Sequence, residues 1–214
     1  MRASSFTTQR GSAKIGCIVA AGVVVLLILI VAVTLVGRYN AIVGLEEKTE
    51  AAWSEIDNQY KRRFDLVPQL VSTVRGAADF ERSTLEAVTE ARASVGRMQL
   101  PPGLPSDPAK LQAYMQAQQG LGAALGRLFA VAEQYPQLKA TQNFLALQDQ
   151  LEGTENRIAV ARRDYIDAVR QYNTTIRRFP SNLVAGWFGF EKVPQLEIAE
   201  GERETPTVEF DFDQ

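Results

Sequence analysis

Between residues 15 and 37 the chain carries no charged side chain, and residues 22–36 are almost wholly Val, Leu, Ile and Ala. A helix needs roughly 20 apolar residues to cross a bilayer, so this stretch predicts a transmembrane helix, with Ile15, Val25, Leu29 and Val36 among its anchor residues. A secretory signal peptide would hold a shorter apolar region, about 7–15 residues, followed by a small-residue cleavage site. Here the run passes directly into Arg38-Tyr39-Asn40, and an uncleaved anchor is expected.

Beyond the anchor the apolar spacing is that of packed helices. Ile42, Leu45, Thr49, Ala52, Ile56 and Tyr60 are spaced in steps of three and four, the seam of one helix face. Leu70, Val74, Ala77, Ala78, Leu85 and Val88 make a second face, and Leu111, Tyr114, Leu121, Leu125, Leu128 and Ala132 a third. In the fourth, Phe144, Leu151, Ile158, Tyr165, Tyr172 and Phe179 recur at every seventh position, with Leu147, Ala161 and Ala168 between them. A heptad held that long indicates side-by-side helices at a shallow crossing angle.

The breaks fall between these faces. Asp65 is placed to cap the second helix, with Pro68 in its first turn, where a missing N–H costs little. Gly96 and the Pro-rich residues 100–105 end that helix, and Asp107-Pro108 offers the third a cap and a first-turn proline. Pro136 divides the third helix from the fourth, Pro180 stops the fourth, and only residues 207–212 alternate as an extended segment would. The expected fold class is therefore all-α: a single N-terminal transmembrane helix, an antiparallel up-down-up-down four-helix bundle, and a flexible acidic C-terminal tail. Along the chain this gives a short basic segment (1–14), the span (15–37), the bundle (38–180), an aromatic membrane-proximal segment (181–196) and the acidic tail (197–214). One misfit remains. At about 1.5 Å per residue the first helix, 39–64, would run about 39 Å and the fourth, 137–179, about 64 Å, so the fourth must protrude or kink.

Composition narrows the chemistry. With no His and one Cys, the chain cannot build a Ser–His–Asp triad, a His-ligated zinc site, a thiolate cluster or an internal disulfide. No enzymatic activity, catalytic residue, metal or cofactor is expected. Cys17 does not read as a lipoprotein cysteine, because the apolar region follows it; a buried thiol or a palmitoylation site is what remains. The net charge of −2 hides a polarity, since residues 197–214 hold seven acids against Arg203 alone. The slightly basic remainder is too weakly charged to suggest nucleic acid as a partner. Arg2, Arg10 and Lys14 precede the span with no acid among them, and Arg38 and Lys48 follow it. Counting Lys and Arg near the span puts the N-terminus in the cytoplasm and residues 38–214 outside.

Longer runs carry a resemblance. After Tyr39-Asn40 come AAWSEIDNQYKRRFDLVPQLVSTVRG (51–76) and LEAVTEARAS (85–94), then LFAVAEQYPQLKATQNFLALQDQLEGTENRIAVARRDY (128–165), YNTTIRRFP (172–180) and FGFE (188–191). In these stretches the chain resembles the LemA family of bacterial membrane proteins over about residues 15–191. The resemblance implies a single-pass protein with a helical-bundle domain and no established enzymatic activity. It also implies a connection, in some relatives, with building or shaping internal membranes.

Several residues stand out against a plain bundle. Glu55, Glu86, Glu90, Glu133 and Glu155 lie in expected helices, but a di-iron bundle site also needs His partners, so solvated or salt-bridged acids are expected. Thr154 falls in the core register, flanked by Glu155 and Asn156, as a register-fixing polar layer or a surface for a partner helix. Glu155 is expected to pair across the bundle with a cation such as Arg75 or Arg92. Lys61, Arg62 and Arg63 form a basic distal tip at the end of the first helix, suited to its dipole or to an anionic ligand. Gly122 and Gly126, one turn apart, suit close helix packing or self-association. Trp187, Phe188 and Phe190, with Tyr39, form a candidate membrane interface, the alternative being a cap on the bundle core.

Two functions follow from these features. The first is a self-associating, non-enzymatic scaffold at the bacterial cytoplasmic membrane, with membrane lipid and further copies of itself as partners and a membrane protein as another candidate partner. The second is an adaptor or chaperone-like module presenting clients to a membrane enzyme such as a protease.

Overall fold

The apolar run and the helical seam behind it form one element. In the computed structural model, which describes residues 11–76, 80–98, 101 and 103–196, with side chains from residue 19 onward, α1 spans Gly11–Arg75 without interruption. α2 (Arg82–Arg97), α3 (Pro108–Ala132), a single turn α4 (Pro136–Lys139), α5 (Gln142–Thr175) and α6 (Ser181–Phe188) complete the described chain. Among the described residues there is no strand. The expected extended stretch 207–212 and the acidic tail 197–214 lie outside the described residues, as do residues 1–10 of the basic segment.

The second helix does not begin at Asp65. α1 continues through Pro68 to Arg75, because its buried seam continues in the same register through Tyr60, Val67, Leu70 and Val74. Each such side chain contributes about 1.5–3 kcal/mol on burial, against about 3 kcal/mol for a proline inside a helix. The carbonyl that Pro68 leaves without its helical donor belongs to Phe64, and Arg92 Nε donates to it at 3.2 Å. The same guanidinium lies 3.7 Å from the Phe64 ring centroid, so one side chain from α2 repairs the helix and covers the ring beside the repair. α1 ends at Arg75 instead, and Leu70 and Val74 sit on α1 while Leu85 and Val88 sit on α2; Ala77 and Ala78 of the expected face lie outside the described residues.

The fourth helix is likewise shorter than its heptad suggested. Thr141, whose hydroxyl donates to the Leu138 carbonyl at 2.7 Å, parts α4 from α5. Phe179 lies beyond the helix end and is 80% exposed. The length misfit largely disappears as a result. From residue 39 to its end α1 runs about 55 Å, and the 34 residues of α5 run about 51 Å.

The start of α3 is as the sequence predicts. Asp107 Oδ1 accepts from Ala109 N at 2.9 Å and Lys110 N at 3.2 Å, with Pro108 in the first turn.

The molecule divides into two units. One comprises Met1–Gly44 and Thr174–Glu191, the other Leu45–Asn173 and Lys192–Gln214. The second holds a continuous apolar core to which α1 gives Leu66, Val67, Leu70 and Val74, α2 gives Leu85, Val88 and Val95, and α3 gives Leu121, Leu125, Leu128 and Ala132. Leu138, Phe144, Leu147 and Leu151 close it. An aromatic group continues the packing, with Trp53 5.4 Å from Tyr165 and 6.4 Å from Tyr114 between ring centroids. The segment expected as one membrane-proximal piece, 181–196, is shared between the units. α6 belongs to the first unit, whereas Val193 and Leu196 are buried in the second.

Candidate functional site

Arg63 occupies the core register of α1, three residues after Tyr60 and four before Val67, and is 3% exposed. A buried cation requires paired charge and full hydrogen bonding. Its Nη1 donates to Glu155 Oε1 of α5 at 2.6 Å, and its Nη2 donates to the Gln118 carbonyl and to Gln118 Oε1 of α3, at 2.8 and 2.6 Å. Three helices thus meet on one guanidinium.

The basic tip is corrected by this geometry. Lys61, Arg62 and Arg63 stand well inside α1, away from either end of that helix; Lys61 and Arg62 are exposed and Arg63 is buried. The expected cross-helix ion pair of Glu155 is present, but its cation is Arg63 rather than Arg75 or Arg92.

Gly122 belongs to the same node. A Cβ at this position would lie 3.3 Å from Arg63 Nη1, so the glycine leaves room for the guanidinium rather than for a neighbouring helix backbone. Gly126 has nothing within 4 Å of such a Cβ. Thr154 is fully buried and donates back to the Gln150 carbonyl at 2.7 Å, while Arg157 Nη2 donates to its hydroxyl at 3.1 Å. Asn156 is exposed.

The remaining candidate carboxylates each have a polar partner of their own. Glu55 accepts from Gln59, Glu86 pairs with Arg82, Glu90 with Arg97 and Glu133 with Lys139. Among the described residues no three His, Cys, Asp or Glu side chains come together as metal ligands would. Nearby, burial first and the Asp57 charge second push the Tyr114 hydroxyl well above its ordinary range, which keeps it the donor to Asp57 Oδ1 at 3.3 Å.

The other unit carries the aromatics. After α6, Gly189 at φ 74° turns the chain left-handed, and Phe190 N–H donates to the Ala185 carbonyl at 3.0 Å. That closure brings Phe190 to 5.7 Å and Phe188 to 4.7 Å from Tyr39, between ring centroids. Trp187 is 76% exposed and Phe188 62%, so neither ring is buried in a core. The anchor residues Ile15, Val25, Leu29 and Val36 all lie in α1, and the last three are exposed. α1 is long and apolar enough to cross a membrane, with a mean hydropathy of 3.2 in its most apolar window.

Sequence reasoning found Thr154 and Glu155 but missed Arg63 and Gln118 as core groups. The signal was present, since Gln118 falls four residues after Tyr114 and three before Leu121. It also missed a strap after α6. Asn173 holds the Val193 peptide at both ends, donating to its carbonyl at 2.8 Å and accepting from its N–H at 3.0 Å. Tyr165 donates to the Pro194 carbonyl at 3.4 Å. No periodicity announces such a contact.

The sequence is similar to those of known proteins. The model of the LemA family matches residues 52–210, starting later than the expected resemblance and running past residue 191 into the acidic segment. Magnetosome protein MamQ 1 of Paramagnetospirillum magneticum is 31% identical, over 74% of this chain and 64% of the relative. Magnetosome protein MamQ of Magnetospirillum gryphiswaldense is 28% identical, over 75% and 65%. Protein LemA of Metamycoplasma hominis is 27% identical, over 78% and 73%. The chain thus spans about 64% of the length of the first of these relatives. Helices without strands among the described residues, a long apolar helix near the N-terminus and a family match over most of the chain lead to one conclusion: this is a membrane-associated helical protein that belongs to the LemA family.

Proposed function

We propose that the chain is a non-enzymatic, self-associating scaffold, held in the bacterial cytoplasmic membrane by a single span and organising or shaping that membrane. The observation that carries this reading is the exposed aromatic surface of α6, fixed to Tyr39 just after the apolar run. It supplies a second lipid-facing element beside the span, since Trp and Phe are favoured at the headgroup level. In this reading α1, α2, α3 and α5 form an up-down-up-down bundle, the N-terminus is cytoplasmic and the bundle lies outside. Relatives that are magnetosome proteins support a role at an organised membrane.

An adaptor that presents clients to a membrane enzyme is the second reading, favoured by an open cleft between α3 and α5 whose walls include Gln112, Gln116 and Gln119. Mass measurement of the full-length chain in detergent separates the two. The scaffold forms large oligomers of defined size without any other protein. A small species that grows only when a partner is supplied supports the adaptor and overturns the scaffold.

A further inference from the structure

α6 shows solvent a face that a water-facing helix would not carry. Its inner positions Ser181, Val184 and Ala185 are buried. Leu183 and Trp187, one turn apart, are exposed, and so are Phe179 just ahead of the helix and Phe188 at its end. No charged residue falls anywhere in Ser181–Phe188. The outer face of a helix on a soluble domain is charged or polar, so this face is built for a different surrounding.

Positive charge gathers beside it. Arg177 and Arg178 immediately precede Phe179, and backbone bonds join this turn to the start of α6: Asn182 N–H donates to the Arg178 carbonyl at 2.9 Å and Leu183 N–H to the Pro180 carbonyl at 3.1 Å. Arg38 precedes Tyr39, against which Phe188 and Phe190 pack. All three arginines are exposed, and none forms an ion pair among the described residues. From residue 19 onward, the unit formed by Met1–Gly44 and Thr174–Glu191 sets these three cations against one acid, Glu191. The next charges on α1, Glu46 and Glu47, follow about 12 Å farther along its axis, beyond a Debye length of about 8 Å in physiological salt.

The uncharged run of α1 ends at Gly37, so Arg38, Tyr39 and the α6 aromatics stand at one end of the apolar run. A guanidinium at that level lays its stem along apolar surface and offers paired N–H donors to phosphate oxygens. In a zwitterionic headgroup an ammonium already neutralises the phosphate; in an anionic phospholipid nothing does. We infer that the α6 face, with Arg38, Arg177 and Arg178, is a binding surface selective for anionic phospholipid. The inference rests on the reading of α6 as lipid-facing given above, and adds the headgroup that it selects. Each arginine close to an anionic surface favours it by about fivefold.

The full-length Trp53→Phe chain tests this in bilayers of phosphatidylcholine and phosphatidylglycerol in equal parts, with bromine near the headgroup on one lipid or on the other. Brominated phosphatidylglycerol is expected to quench Trp187 severalfold more effectively than brominated phosphatidylcholine, and about 1 M salt should reduce that preference. Arg177→Gln with Arg178→Gln should bring the two lipids toward equality. Quenching by both lipids persists in that variant, which reports α6 still folded on the bilayer. Equal quenching in the parent chain overturns the inference and leaves the lipid-facing reading standing. No quenching by either lipid overturns both, and leaves the face to a protein partner. A preference that survives both the arginine substitutions and high salt overturns the assignment to these charges.

Discussion

Arg63 shows how one residue can be misread from its neighbours. Beside Lys61 and Arg62 it looks like part of a solvated basic run, yet its spacing from Tyr60 and Val67 places it in the seam. Burial then forces the pairing with Glu155 and Gln118. Because Glu155 is 45% exposed while Arg63 is 3% exposed, the pair lies between the surface and the buried limits. Glu155→Gln is expected to lower unfolding stability by about 1–2 kcal/mol, less than the loss of a fully buried partner. At about 2–4 °C per kcal/mol, the thermal midpoint in detergent reports it directly; an unchanged midpoint would remove the pair from the account of stability. Residue type and register together made Thr154 legible. Arg63 and Gln118 needed the same reading applied to polar side chains, and the choice of Arg63 over Arg75 or Arg92 depended on a three-dimensional neighbour that spacing cannot supply.

At the scale of elements, helical periodicity read well and helix ends less so. The buried stripes of α3 and α5 follow the expected positions, and Asp107-Pro108 starts α3. Pro68 misled because its helix-breaking cost is local, while the seam that overrides it and the Arg92 contact that repairs it are not. α6 was legible only as an aromatic cluster, since eight residues offer too short a window for a period. Its exposed face has a direct test. In a Trp53→Phe background, reconstituted with lipid brominated near the headgroup, Trp187 fluorescence should be strongly quenched if α6 lies on the bilayer. Emission unaffected by bromine would place Trp187 in water and remove α6 from the membrane surface.

For the whole molecule, the flanking charges expect the N-terminus inside the cell and residues 38–214 outside. An epitope after Gln214, exposed to protease on intact spheroplasts, should be digested. Protection until lysis would reverse the orientation and turn attention to cytoplasmic clients. The three-helix node on Arg63 also bears on how the second unit reaches a single arrangement. Apolar heptads are tolerant of slippage, because a shift of seven residues, about 10.5 Å along an axis, exchanges one apolar layer for another. Such a shift of α1 would set Ile56 or Leu70 in front of Glu155 and Gln118, and would strand Arg63 among aliphatic side chains. The guanidinium therefore acts as an index mark on an otherwise repetitive scale: of the many ways these helices could slide and still exclude water, it admits one.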